Sequence, residues 1–200
     1  MCIRDREKLD AILIKIKEDL TSDLFVAKNN LTYLKRKDST AQLIFNEAID
    51  IDTFSKNGGS FLPFTSIVLD MNTTGYDQFQ QNIDKVPEDY KDLITALNEI
   101  YINTKSNLEI YNLTMDETIS KDFTSLSKTK SWFSDWSRNI PSKEADAFFL
   151  RDSTAKNLIS LYLQNLDATA IEGFNFKQRA IKAIKPVSYT HLTLPTIYSV

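Results

Sequence analysis

The chain is poor in the two residue types that build most compact reactive sites. It has one cysteine and one histidine in 200 residues, Cys2 and His191, and both lie close to an end of the chain. The residues between them offer no disulfide, no Cys/His zinc site, no thiol nucleophile and no histidine-based triad. Catalysis would have to rely on Asp, Glu, Lys and Tyr alone. We therefore expect no enzymatic activity, and no cofactor or metal.

Glycine, long apolar runs and concentrated positive charge are also scarce. Two of the four glycines fall in "SKNGGS", which lacks the following Lys-Ser/Thr and the preceding strand of a phosphate-binding loop. No run between residues 7 and 185 reaches the roughly 18 apolar residues of a membrane span. The net charge is −3 and is spread along the chain. Because there is no basic patch to neutralise phosphates, we predict no binding to nucleic acid.

The two ends of the chain resemble translated sequencing adapter. The segment "VSYTHLTLPT" back-translates into a common transposase-based adapter, and "MCIRDR" into the reverse complement of the transposon end. The joining codons agree, since Arg6 and Pro186 are among the few residues that the two adapter frames permit. We therefore predict that residues 1–6 and 186–200 are not native and that the tail packs on nothing. Residues 7–185 are expected to form a single helical-bundle domain, truncated at both ends.

The first native stretch, "EKLDAILIKIKEDLTSDLFVAKNNLTYLKRK", carries apolar residues at steps of three or four. This period predicts an amphipathic helix of roughly 28 residues, about 40 Å long. Such a helix cannot bury its apolar stripe alone, so it requires partner helices. The stripe consists of Leu9, Leu13, Ile16, Leu20, Leu24, Ala27, Leu31 and Leu34.

Shorter elements follow this helix. Ser39, with Gln42 three positions later, has the spacing of a capping box and predicts the start of a second helix. The stretch "SKNGGSFLPF" is expected to be a loop. The stretch "TSIVLDM" fits a strand or a short helix, of which we favour the helix. The stretch "TTGYDQFQQNID" predicts another short helix that begins near Thr74.

A second long helix is predicted to begin at Pro87, because proline suits the first helical position. Its apolar seam is interrupted at Thr104. Thr114 and Glu117 repeat the capping-box spacing, so we expect the helix to kink or restart there.

Ser142 is expected to cap the last long helix, "ADAFFLRDSTAKNLISLYLQNLDATA", and Gly173 to bend or end it. Long helices thus alternate with short irregular pieces, and no stretch shows sustained strand-like alternation. The sequence predicts an all-α fold. We expect an elongated antiparallel helical bundle with long helices and short irregular connections.

Two groups of residues are candidates for a binding site. Glu47, Asp50 and Asp52 could supply oxygen ligands to a cation, but they lack the spacing and the turn glycine of a calcium loop. A solvated helix end is the favoured interpretation. Trp132 and Trp136 share one helix face and could form an aromatic cage, although packing at the end of the bundle is favoured. We therefore predict no catalytic, cofactor-binding or metal-binding residue.

Three stretches carry a resemblance to known proteins: "REKLDAILIKIKEDLTSDL", "FLPFTSIVLDMNTTGYDQFQQNIDKVPEDYKDLITALNEIY" and "ADAFFLRDSTAKNLISLYLQNLDATAIEGFNFKQRAIKAIK". The chain resembles a bacterial family of membrane-anchored helical proteins of unknown function. Its members have one N-terminal hydrophobic span, a charged helix and a helical domain. In the middle part the family has a Thr-Tyr-x-x-Leu-like helix and a Ser/Gly turn. Here Tyr76 and Phe79 lie in that helix, and "NIDKVPE" replaces the turn.

The resemblance implies a domain outside the cytoplasm, held at the membrane by an N-terminal anchor that this fragment lacks. Such a domain would act through protein–protein interaction or as a sensor, and its partner would be another protein or a second copy. The resemblance assigns no catalytic residue, and no small-molecule ligand is identifiable. The alternative is a soluble cytoplasmic binding or scaffold module that dimerises through the Leu9–Leu34 seam.

Overall fold

A computed structural model describes the backbone of residues 3–190 and the side chains of residues 5–185. Every regular element in this range is helical, which confirms the predicted all-α fold class. The α-helices are α1 (Ile3–Phe45), α2 (Ile51–Lys56), α3 (Thr74–Gln80), α4 (Lys91–Asn98), α5 (Lys105–Thr129), α6 (Phe133–Trp136), α7 (Lys143–Arg151) and α8 (Ser153–Thr190). Short 3₁₀ turns occupy Gly59–Phe64, Ile83–Lys85 and Glu88–Tyr90, and a π-helical segment occupies Glu99–Thr104.

The predicted loose tail falls on residues 191–200, which lie outside the described residues, and on residues 186–190, whose helical backbone alone is described. At the other end, α1 includes the backbone of residues 3–6.

The described residues divide into two compact units, each with its own hydrophobic core. Unit 1 comprises residues 3–29, 69–109 and 172–190, and unit 2 comprises residues 30–68 and 110–171. The stretch assigned to one domain, residues 7–185, therefore holds two cores.

The apolar seam of α1 is buried within these cores. Leu13, Ile16 and Leu20 expose no surface in unit 1, and Leu34 is buried in unit 2. These side chains are covered by other parts of the same chain. Most of the seam is therefore covered within the chain itself.

Helix α1 runs without a break to Phe45, so the capping box predicted at Ser39 and Gln42 is wrong. The Ser39 hydroxyl instead donates a hydrogen bond to the Lys35 carbonyl, 2.9 Å away and one turn back. A serine inside a helix commonly forms this bond, so its side chain no longer caps anything.

The restart predicted at Thr114 and Glu117 is wrong for the same reason, since the Thr114 hydroxyl donates to the Ile110 carbonyl at 2.8 Å within an unbroken α5. The irregularity lies earlier, in the π-helical segment that ends at Thr104. The Thr104 side chain is fully buried, and its hydroxyl donates to the Glu99 carbonyl at 3.0 Å. The interruption of the apolar seam at Thr104 thus coincides with the end of the π-helical segment and the start of α5.

The helix predicted for "TSIVLDM" is wrong, because residues 65–73 form no regular element. Burial alternates here: Leu69 and Met71 are buried, whereas Asp70 between them is exposed. This period of two belongs to extended chain, but these residues form no strand either, so the alternative that the sequence left open is not found. The next prediction is confirmed, since α3 begins at Thr74.

Two helix boundaries also differ from expectation. Pro87 precedes a 3₁₀ turn, so α4 begins only at Lys91. Ser142 caps α7 as predicted, its Oγ accepting the Ala145 N–H at 3.2 Å, but α7 ends at Arg151. The extended residue Asp152 separates it from α8, which continues through Gly173 to Thr190. Gly173 therefore does not end the last helix.

Candidate functional site

The three acidic residues of "NEAIDID" lie between the end of α1 and the first turn of α2. Glu47 has a left-handed backbone (φ 54°) just after α1, and its carboxylate pairs with Lys156 Nζ at 3.2 Å. Asp50 Oδ1 accepts the Thr53 N–H at 2.9 Å and caps α2, a bond that holds the pKa of Asp50 below its ordinary value. Asp52 is exposed. This arrangement agrees with the solvated helix end favoured above.

The two predicted tryptophans lie in the core of unit 2 or against it. Trp136 is 2% exposed, and its ring stacks on Phe61 with centroids 4.6 Å apart. The Trp136 indole N–H donates to Ser60 Oγ at 3.0 Å. Trp132 contacts Trp136 edge-on, with centroids 5.8 Å apart. The pair therefore belongs to the packing of unit 2, the interpretation favoured from the sequence.

Sequence reasoning missed a buried carboxylate pair in unit 1. Asp19 and Asp23 lie one turn apart on α1, and both are buried. Asp19 accepts the Gly75 N–H at 2.8 Å and pairs with Lys15 Nζ at 2.8 Å. Asp23 accepts the backbone N–H of Asn72 at 2.9 Å and its side-chain amide at 2.5 Å. The two carboxylates fasten the chain that enters α3 onto α1.

The environment of this pair is electrostatically costly. Asp23 is only 1% exposed, and burial raises its pKa to about 6 in spite of the bonds from Asn72. Tyr101 stacks on Tyr76 with centroids 4.5 Å apart, and its buried hydroxyl has no hydrogen-bond partner among the described residues. Burial, with the nearby carboxylates, raises the pKa of Tyr101 above its ordinary value. The carboxylates bind the chain's own N–H donors, which argues for a structural role.

Asp23→Asn should remove a pH dependence of stability. The pKa of Asp23 in the folded chain lies above its ordinary value of 3.8. At pH values between 3.8 and about 6, the folded chain therefore binds more protons than the unfolded chain. The free energy of unfolding should therefore fall by about 3 kcal/mol as pH rises from about 4 to about 6. The variant keeps its shape, since the Asn72 amide can rotate to present its carbonyl to the introduced amide. Urea unfolding at several pH values measures the difference between the two proteins.

Asp152→Asn is the matched control. The Thr154 backbone N–H holds the pKa of Asp152 below its ordinary value, so this carboxylate adds stability as pH rises. Asp152→Asn should leave the loss of stability with rising pH that Asp23 causes unchanged. Parallel pH profiles for the wild type and Asp23→Asn would contradict the assignment.

A second polar network lies at the π-helical segment of unit 1. Arg179 donates to Glu99 Oε1 at 2.8 Å, to Thr104 Oγ1 at 2.6 Å and to the buried Glu172 Oε1 at 3.4 Å. Segments of this helix type often occur at functional sites. Here the cation is satisfied by the chain's own oxygens, so the network neutralises buried charge.

A further candidate site is a groove in unit 2, named here the Asp146 groove, of about 260 Å³. Four pieces of chain form its walls: the end of α2 with its following turn, α6, the link after α6, and α7. The lining residues are Ser55, Gly58, Ser60, Phe61, Trp136, Asn139, Ile140, Pro141, Ser142 and Asp146.

Two left-handed residues shape the walls of the Asp146 groove. Gly58 (φ 63°) turns the chain from α2 into the following 3₁₀ turn. Asn139 (φ 60°) ends the turn after α6, and the Ile140 N–H then donates to the Asp135 carbonyl at 3.0 Å. Both turns direct short connecting segments toward the same space.

Asp146 is the charged residue of this groove. It is 8% exposed and lies in the first half of α7. Its carboxylate takes part in no salt bridge and no side-chain hydrogen bond among residues 5–185. No signal in the sequence marks it, since an acidic residue beside apolar positions such as Ala145 and Phe149 ordinarily lies at the solvated edge of a helix.

No group of three His, Cys, Asp or Glu side chains in the described part of the chain is placed to hold a metal ion. Among the described helices, none combines the length and the apolar character needed to cross a membrane. Comparisons with protein-family models, with curated proteins and with solved structures find no match.

Proposed function

We propose that this chain is a helical recognition domain, an interaction or sensor-like module, and that its recognition site is the Asp146 groove. One observation carries the proposal: Asp146, a residue only 8% exposed, lines a groove, and its carboxylate has no cationic partner among the described side chains. A cationic group from outside the chain that pairs with Asp146 would gain binding energy there.

The composition of the groove supports the same role. Recognition sites combine apolar and aromatic walls with a few polar groups that orient the ligand. Phe61 and Trp136 supply the aromatic wall, and Ile140, 43% exposed, lies beside the opening. Ser60 and Ser142, which also carry hydroxyl groups, line the same groove.

A photo-crosslinking amino acid at Ile140, introduced in the native host, tests the proposal. We expect one adduct of defined mass, because a bound partner would cover the Asp146 groove. The same amino acid at Leu161 is the control, since Leu161 has a matched exposure of 46% in the same unit but does not line the groove. Equal labelling from the two positions, or none from Ile140, would refute a macromolecular partner at the groove.

We also propose that the domain lies outside the cytoplasm and is held there by an N-terminal span. The support is the resemblance carried by the helix at "REKLDAILIKIKEDLTSDL" and by the later helical stretches. The genomic sequence upstream of Glu7 tests this directly. A hydrophobic span of about 20 residues is the expected result. A polar stretch there would favour the cytoplasmic binding or scaffold module.

A further inference from the structure

We infer that the Asp146 groove binds an alkylammonium group, either a free primary amine or a lysine side chain of a partner protein. The inference rests on the proposed recognition role and assigns the chemical class of the ligand. It follows from three properties of the groove: its charge, its hydrogen-bonding groups and its size.

The charge of the groove is that of the Asp146 carboxylate. Asp146 is more than nine-tenths buried, and no Lys or Arg side chain among residues 5–185 forms a salt bridge with it. The only charged side chain that lines the groove is therefore negative. An anionic ligand would be repelled, and a neutral ligand would leave the charge unpaired. A cation is the ligand class that stabilises it.

The hydroxyl groups of the two serines that line the groove still have acceptor capacity. Ser60 Oγ accepts the Trp136 indole N–H at 3.0 Å, and Ser142 Oγ accepts the Ala145 N–H at 3.2 Å. A hydroxyl oxygen has two lone pairs, so each serine retains one. One carboxylate and two separate hydroxyl oxygens suit an ammonium, which has three donors.

Size and wall chemistry limit what accompanies the ammonium. The groove, at about 260 Å³, is smaller than the roughly 300–1,000 Å³ of drug-sized sites. It therefore suits one alkyl chain rather than a large ligand. Phe61 is half-buried, so part of its ring is accessible to that alkyl chain, while Trp136 stacks against it at 4.6 Å. Aromatic faces also attract alkylammonium cations.

The test follows the Trp136 indole N–H resonance of the full chain by NMR during titration. The probes are n-butylammonium and its near-isosteric neutral counterpart, 1-butanol. We expect a saturable shift with the ammonium and none with the alcohol. In Asp146→Asn the affinity should fall about tenfold or more, as for a lost hydrogen bond to a charged group. Asp135→Asn, which removes an exposed carboxylate from the same unit, should bind as the wild type does.

Three further probes identify the source of the amine: a short peptide with one lysine, the same peptide with acetyl-lysine, and the same peptide with arginine. Tighter binding of the lysine peptide than of n-butylammonium indicates a protein partner, and exclusion of the peptide indicates a free amine. Binding of the acetyl-lysine or arginine peptide as tightly as the lysine peptide overturns the inference, as does the absence of a shift with n-butylammonium.

These outcomes separate the inference from the proposed function. An adduct at Ile140 without amine binding keeps the recognition role and rejects the alkylammonium ligand. Amine binding without an adduct supports the alkylammonium site and rejects a protein partner. If Asp146→Asn fails to fold, the comparison of n-butylammonium with 1-butanol in the wild type still decides.

Discussion

Gly75→Ala is expected to destabilise unit 1 by about 2 kcal/mol or more, although alanine is the better helix former. A Cβ at this position would lie 2.6 Å from the Ile16 backbone nitrogen and 2.9 Å from the Ile16 Cα. These atoms belong to α1, so no side-chain rotation relieves the overlap, and overpacking of this kind costs about 1–3 kcal/mol or more. Separation of the helices would also lengthen the hydrogen bond from the Gly75 N–H to Asp19. Urea unfolding followed by circular dichroism measures the loss.

Gln78→Ala is the control for Gly75→Ala, because Gln78 lies on the exposed side of the same helix. It should unfold at the urea concentration of the wild type or slightly above it. A wild-type midpoint for Gly75→Ala would mean that α3 does not approach α1 this closely.

Trp136→Ala is expected to have the largest effect, a loss of about 3–5 kcal/mol from unit 2. The ring is almost fully buried and contacts several aromatic side chains, and its indole N–H satisfies a buried serine. Domains of this size are typically stable by only about 5–15 kcal/mol, so the variant should be close to unfolding at room temperature. Thermal and urea unfolding measure the change. The ring contacts are with Phe61, Phe64, Phe123, Trp132, Phe133 and Phe149.

Two companion substitutions make this result specific. Trp136→Phe keeps an aromatic ring but loses the bond to Ser60, so its cost should be clearly smaller. Trp132→Ala removes a tryptophan that is only half-buried and should also cost less. Equal losses for Trp132→Ala and Trp136→Ala would contradict the central position of Trp136 in this core.

The long helices could be predicted because their apolar period is sustained over many turns, as in the seam from Leu9 to Leu34. Their ends could not be predicted equally well. The capping-box spacing at Ser39 and at Thr114 has two physical meanings, since a hydroxyl can cap a new helix or bond to the carbonyl one turn back. Only the neighbouring turns decide between them. Where the chain changes direction at Ser142, the capping signal and the structure agree.

The candidate site depended on contacts that no local pattern reveals. Asp19, Asp23 and Asp146 each adjoin apolar positions, where an acidic residue ordinarily marks the solvated edge of a helix. Asp19 and Asp23 become buried because Gly75 and Asn72, distant in sequence, pack over them. Asp146 becomes buried among segments that contribute only a few residues each. The sequence predicts each helix that carries these residues, but not what covers it.

The composition of unit 1 also determines the order in which its parts become available during synthesis. Its core joins Leu13, Ile16 and Leu97 to Phe176 and Ala180, which the ribosome adds much later. Translation at about 5–20 residues per second leaves the earlier side chains without these partners for several seconds. The stretches that build unit 2 are all synthesised before the last part of unit 1. The nascent chain therefore exposes an incomplete apolar surface in unit 1 for a period in which chaperones can bind it.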